Sequence, residues 1–584
     1  MNSRDSLKRN SSSLLMCKTE IKNSIDYSMF FKKGFSHCRN LSVEYFDTNY
    51  YHNSQARQKM QQRLVKLLKK AKPTKSLNLH KCIVQYENIP DSTLIQIAKR
   101  TSRVKVLSVP DYAVSQDVVK KYALWLKHAR RLARFNYITP PCVDFPQGES
   151  SSLAKIMPKL LHEMRRDRIK NLNVTHKISD ENVANSLLEF NRYPSTLQSF
   201  NFDCRNYSSE WSTQSQISLG HMQDLRSLSL AFRNQTDILD PMISSLENIS
   251  QLEHLKIEFF DVVNQGDQIP FEKLSGLRNL KSLELKFDIW PYGLSPFLEQ
   301  VETLPLTTFR LETAIRDENK LRCIKRLLGC LGNLESLKLK LSKDVVFHSK
   351  DLIRDLMDKV ASLRLLKTLN VEFLVPGLTE KRYIEEELDE TMVPALRNVF
   401  LKASRLQRFS FHCNQVNSRA TFMSLLGFVA GRIAPNLKKL NINVGRFVPE
   451  ESELRQITHF TEHLVNIESL KLKSITGLMS QGMQDFLDAV YDLKYLKAFE
   501  IYELKGSLNK KIFVSAIEKL LSKRGLEKFD CCLTWDIKET GTRRVRGCQI
   551  DLKKLLERNP CLESYPQSNI IFSYYNDDTA WKWS

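Results

Sequence analysis

One pattern constrains this 584-residue chain more than any other. Leu280, Leu283, Leu285 and Phe287 are spaced so that the last three alternate as a half-buried strand requires. Leu280 sits where a preceding turn would tuck into the same core. The phrase returns at Leu225–Leu230, Leu252–Ile257, Leu334–Leu339, Leu366–Val371, Leu437–Ile442 and Ile467–Leu472. Repetition at a fixed period restricts a chain to stacked copies of one small unit.

Taking the second apolar residue of each phrase as its core position gives Leu77, Leu107, Phe135, Leu172, Phe200, Leu228, Leu255, Leu283, Phe309, Leu337, Leu369, Phe409, Leu440, Leu470, Phe499 and Phe529, with Leu41 before them and Tyr565 after. From Leu172 to Leu337 the steps are 28, 28, 27, 28, 26 and 28 residues. Between strands the sequence reads as helix. Residues 54–71 place Met60, Leu64, Leu67, Leu68 and Ala71 on one face; residues 115–132 do so with Val118, Val119, Tyr122, Leu126 and Ala129; residues 418–433 with Phe422, Leu425, Leu426 and Val429. The expected unit is a helix, a short turn and a short strand, stacked into a parallel sheet so that neighbours supply each unit's core.

These phrases resemble the leucine-rich repeat family, and by unit length its ribonuclease-inhibitor-like branch, from Leu41 to Tyr565. The resemblance implies an α/β horseshoe solenoid with the parallel sheet on the concave face and helices on the convex face. It also implies partner binding on the strand surface. One departure is visible. The family's Asn or Cys, three residues after the second strand leucine, is matched by Cys82 and Asn414, whereas Asp288, Ser342 and Gly445 stand there in other units.

The expected organisation is a flexible polar tail over 1–36, basic repeats over 37–170, further repeats over 171–565, and an aromatic cap or tail over 566–584, where Phe572, Tyr574, Tyr575, Trp581 and Trp583 cluster. No apolar run approaches the roughly 18 residues that cross a bilayer. Leu14, Leu15 and Met16 are too few for a secretory signal, and Asp5 and Glu20 speak against a mitochondrial presequence. The twelve cysteines include no C-x-x-C pair, so they are expected as free thiols in a reducing compartment. Together these point to the cytoplasm, with cytoskeletal or nuclear placement as alternatives.

The net charge of +22 is uneven. Residues 1–170 hold 33 Lys/Arg against 13 Asp/Glu, and the remainder 55 against 53. Arg57, Lys59, Arg63, Lys66, Lys69, Lys70 and Lys72 form one cluster, Arg130, Arg131 and Arg134 a second, Arg165 and Arg166 a third. All are expected on outer helices, side by side. Such a patch attracts an acidic protein surface, a tubulin tail or a nucleic-acid backbone.

Motifs for chemistry are weak. His459, Glu462 and His463 fit H-x-x-E-H, whose histidines could share a metal from one helix face. The motif lies on an outer helix without a third ligand, and a solvated face is the expected reading. No nucleophile elbow and no phosphate-cradling glycine loop is present. The expectation is therefore no enzyme, no cofactor and no metal. On the strand face, residues flanking the leucines point away from the core. Lys256, Glu284, Lys286, Arg310, Lys338, Lys340, Arg408 and Lys471 are the candidate partner-binding residues. Their mixed signs, without an aromatic stripe, favour a polar protein over a single nucleic-acid strand. The expected function is a protein-binding scaffold. The alternatives are nucleic-acid or ribonucleoprotein binding through the basic helices, and GTPase activation or another regulatory enzyme role.

Overall fold

The computed structural model describes residues 90–110, 116–138, 169–175, 193–204, 219–233, 242–260, 271–313, 318–342, 350–374, 392–413, 419–506 and 528–535, with breaks of one or two residues, a few isolated positions, and short strands at 19–21, 40–43, 76–78 and 570–571. The chain forms two compact units, Met1–Leu304 and Pro305–Ser584.

The first unit is built on strands β1 (Thr19–Ile21), β2 (Asn40–Val43), β3 (Ser76–Asn78), β4 (Val106–Pro110), β5 (Arg134–Ile138), β6 (Asn171–Thr175), β7 (Ser199–Cys204), β8 (Ser227–Arg233), β9 (His254–Phe260) and β10 (Ser282–Phe287). Each pairs in parallel with its successor. The register aligns the expected core positions: Leu41, Leu77, Leu107, Phe135, Leu172, Phe200, Leu228, Leu255 and Leu283 face one another rung to rung. A second inward column follows through Leu230, Ile257 and Leu285. A third adds Phe232, Phe259 and Phe287, all buried. Phe232 lies 5.7 Å from Phe202 and 5.6 Å from Phe259, ring centre to ring centre.

The second unit repeats the scheme with β11 (Thr308–Glu312), β12 (Ser336–Ser342), β13 (Thr368–Leu374), β14 (Arg408–His412), β15 (Lys439–Asn443), β16 (Ser469–Leu478), β17 (Ala498–Gly506), β18 (Lys528–Trp535) and β19 (Ile570–Ile571). Phe309, Leu337, Leu369, Phe409, Leu440, Leu470, Phe499 and Phe529 form its first core column. The parallel repeat of strand and connector is thus that expected of a stacked array. Two ends depart from the reading of the sequence. The residue opposite Phe529 is Ile570, not Tyr565, so the ladder runs into the segment expected as a cap. At the start, Thr19–Ile21 pairs with β2 inside the stretch expected as a tail.

The connectors also differ. Helices Asp91–Arg100 and Gln116–His128 bury Leu94, Ile97, Tyr122, Trp125 and Leu126. The indole N–H of Trp125 donates to Thr101 Oγ1 at 3.1 Å, tying one helix to the next. Between β9 and β10, however, a 3-10 turn at Phe271–Gly276 replaces the expected α-helix. Phe271 explains why so little suffices: its ring lies 5.7 Å from Phe287 and 5.8 Å from Phe297, so one aromatic fills the layer. In the second unit, helices Glu318–Cys330, Lys350–Ser362, Val393–Lys402, Arg419–Phe428, Glu451–Glu462 and Gln481–Asp492 cover the sheet. The helix expected to reach Ile433 loosens into a π turn at Val429–Ile433, because Pro435 shortly beyond supplies no N–H to continue it. Gly445 has φ 83°, a conformation that favours glycine and accounts for a glycine at this turn. The expected helix over residues 54–71 lies outside the described residues except for Gln62 and Lys66, both helical.

Candidate functional site

Residues between the buried strand positions form rows across each sheet. In the first unit the middle row runs Ser108, Asn136, Asn173, Asn201, Ser229, Lys256 and Glu284 in unbroken register. It is neutral over its first five rungs. Asn136 Nδ2 donates to Ser108 Oγ at 2.7 Å, and Asn201 Nδ2 to Asn173 Oδ1 at 2.6 Å. An amide carries both a donor and an acceptor, so it can pass a hydrogen bond from rung to rung. Charge enters at the end of the unit. Lys256 Nζ lies 2.8 Å from the buried carboxylate of Glu258, and Lys286 Nζ lies 5.1 Å from the ring centre of Phe260.

The second unit's middle row is charged at both ends and neutral in the centre: Arg310, Lys338, Asn370, Ser410, Asn441, Lys471, Glu500. Lys338 pairs with Glu312, and lies 4.0 Å from Glu372, while Lys340 reaches Glu372 at 3.3 Å. Lys471 and Lys473 grip the two oxygens of Glu500 at 2.6 and 3.1 Å, and that carboxylate is 1% exposed. Between these clusters Asn441 Nδ2 donates to Ser410 Oγ at 3.0 Å and meets His412 Nε2 at 2.6 Å. Burial holds His412 below the usual imidazole range; Lys338, Lys473 and Lys471 push the same way, against Glu372.

The structure brings the candidates Lys256, Lys338, Lys340 and Lys471 into ion pairs and sets Lys286 over the Phe260 ring. The sequence reading overlooked Glu372, Glu500 and the asparagine row. Their signal was present in the residue between the two strand leucines, but its meaning needs the register. Over β11–β17 the strand-face rows hold Arg310, Lys338, Lys340, Arg408, Lys439, Lys471 and Lys473 against Glu312, Glu372 and Glu500. Among the described side chains over β4–β10 they hold Arg134, Lys256 and Lys286 against Asp203, Glu258 and Glu284. The first face balances; the second has cations in excess. Arg310 and Arg408 are exposed on it.

The basic clusters fare differently. Lys66 is helical and exposed. Arg131 stands in a turn and Arg134 opens β5, so neither lies on an outer helix as expected, because the helix has already ended at His128. Arg57, Lys59, Arg63, Lys69, Lys70, Lys72, Arg130, Arg165 and Arg166 lie outside the described side chains. On the helix Glu451–Glu462 the two motif histidines stack edge to face at 4.6 Å. His463 Nδ1 is 2.7 Å from the carbonyl of His459, which occupies that nitrogen within its own helix. Among the described residues no group of three His, Cys, Asp or Glu side chains is placed to hold a metal ion, and no helix is long and apolar enough to cross a membrane. Cys323 and Cys413 are buried and Cys330 exposed, each outside any disulfide. Burial pushes the Cys413 thiol up to about 12.

No protein-family profile matches the chain, and no curated protein aligns with it.

Proposed function

We propose that this chain is a leucine-rich-repeat scaffold that performs no chemistry and binds an acidic protein surface on the strand face of its second unit. The observation that carries this reading is the cation excess over β11–β17. Seven cations, Arg310, Lys338, Lys340, Arg408, Lys439, Lys471 and Lys473, share that face with three carboxylates, Glu312, Glu372 and Glu500. A rigid sheet holds these side chains on fixed rungs about 4.8 Å apart, so several acidic groups on a partner can be met at once. The basic N-terminal third would raise the encounter rate through its long-range field. The cytoplasm suits this reading, since Cys330 is an exposed thiol.

The test uses poly-glutamate as the probe. The full chain should bind it, and the double reversal Arg310→Glu/Arg408→Glu should weaken binding by about tenfold or more, mainly through a slower on-rate. Unchanged affinity in that variant sinks the proposal. Tighter binding to duplex RNA or DNA, falling as a steep power of salt concentration, would replace it with the nucleic-acid alternative.

A further inference from the structure

A cavity of about 490 Å³ opens on the second unit, away from the strand-face rows, at the rim where the strands begin. Its size is that of a small-molecule site. One row frames it: Glu335, Lys367, Gln407, Lys438, Glu468 and Lys497, the residues immediately before β12 to β17. Each donates its backbone N–H to the carbonyl of the one before at 2.8 Å, so they stand on successive rungs. Their charges pair across rungs. Lys367 bonds Glu335 at 2.7 Å, and Lys497 bonds Glu468 at 3.4 Å. At the end of the first unit's row Glu253 takes Lys281 at 2.8 Å and Arg226 at 3.5 Å, whereas Lys170 stands between Ala133 and Gln198 with no carboxylate on either neighbouring rung.

In the second unit the alternation breaks at one place. Where a carboxylate would complete the row beside Lys438, the chain has Gln407. Arg405, on the same turn as Gln407, adds a second cation. Neither Lys438 nor Arg405 makes an ion pair among the described residues, and both line the cavity and are exposed. The far end of the cavity carries Tyr495, a ring left 49% exposed. Asn436 and Asn466 line the cavity between them, each donating Nδ2 to the preceding turn, at 2.9 Å to Ser404 O and 2.7 Å to Pro435 O. Tyr495 stands two rungs beyond Lys438, about 10 Å by strand spacing. The cavity therefore offers paired cations, one a planar guanidinium fork suited to phosphate, and a flat ring at a distance.

We propose that this rim cavity binds a phosphate monoester carried on a flat ring, the phosphate between Arg405 and Lys438 and the ring on Tyr495. That separation suits a free mononucleotide, whose ribose spaces the base from the phosphate, and exceeds what an aryl phosphate spans, since its ring is joined directly to the phosphate oxygen. The site is separate from the strand face and does not depend on the function proposed above.

Calorimetric titration of the full chain with AMP, phenyl phosphate and inorganic phosphate tests it. AMP should bind, and phenyl phosphate and inorganic phosphate about tenfold more weakly, since neither reaches the ring of Tyr495 from the two cations. Arg405→Ala/Lys438→Ala should abolish all three. Tyr495→Ala should reduce AMP to the affinity of inorganic phosphate without changing the latter. Lys402→Ala, an exposed lysine outside the cavity, should change nothing, and circular dichroism should show every variant folded. Binding of no probe at millimolar concentration, or binding that Arg405→Ala/Lys438→Ala leaves intact, overturns the proposal. So does AMP binding no tighter than phenyl phosphate, or a Tyr495→Ala variant that keeps the preference for AMP.

Discussion

Each unit is built on the same kind of ladder, and the two differ in what they hang on it. In both, alternate strand residues face inward in parallel register, which in the second unit shifts after Leu472 and again after Glu500. Outside, the first unit presents the amide row Asn136, Asn173 and Asn201, whereas the second presents Lys338 and Lys471 with carboxylates tucked beside them. Inside, among the described side chains, the third column is Phe232, Phe259 and Phe287 in the first unit but Thr313, Phe373, Cys413, Val444 and Ser474 in the second. Ser474 adds a hydrogen bond to this smaller, more polar column: the backbone N–H of Val444 donates to its Oγ at 2.8 Å. The contrast shows that register is held by the first two inward columns. The third column and the outward rows are then at liberty to vary.

Truncation in the third column should separate the units most sharply. Phe232→Ala removes a buried ring packed on two others, and is expected to cost about 3–5 kcal/mol. Cys413→Ala at the equivalent rung position removes a single sulfur and should cost about 1 kcal/mol. Denaturant midpoints, read with hydrogen exchange of β7–β10 and β13–β16, measure both. Equal losses would show that the two columns carry the same load and that the contrast in composition is idle.

The ladder was legible in the sequence because apolar spacing survives without knowledge of partners. Leu255 and Leu283 sit on adjacent rungs as their 28-residue separation predicts. What failed were features that depend on what lies across a rung. Ile570 replaces Tyr565 as the last partner because the segment after Phe529 has no second leucine phrase to set the register. Glu500 looks like any outward strand residue, yet two lysines from β16 fold over it and exclude water. The rim cavity draws residues from five turns about thirty positions apart, so no local motif records it.

The outward rows differ next most. Glu500→Gln leaves Lys471 and Lys473 without their counter-charge. Since these lysines are 34% and 40% exposed, screening keeps the expected loss to about 2 kcal/mol rather than the larger cost of a fully buried pair. The loss should shrink in high salt. Asn173→Ala in the first unit breaks a neutral bond to Asn201 and should cost about 1 kcal/mol at any salt concentration. Parallel melts at low and high salt make the comparison. A salt-independent Glu500→Gln loss would mean that its role is packing, and that the electrostatic difference between the faces is nominal.

The smallest expected effect is confined to acid. His412 faces Asn441 on β15, Glu372 on β13, and the lysines Lys338, Lys471 and Lys473 on β12 and β16. Burial, with those lysines, outweighs Glu372 and keeps the imidazole neutral below its ordinary titration range. The unfolded chain has no such restraint and protonates at the ordinary value. Between the two values the unfolded state therefore holds the extra proton, so the second unit's stability is complete above the ordinary imidazole value and declines as pH falls toward the native one. Below the native value the decline stops. His412→Gln should flatten this dependence, and the first unit's amide row, which has nothing to titrate, should show none of it. A proton NMR titration of the His412 ring gives the direct reading. An imidazole that titrates at or above the ordinary value would mean that Glu372 governs the centre of the face. The excess of cations over β11–β17 would then not reach the neutral rungs between Lys338 and Lys471.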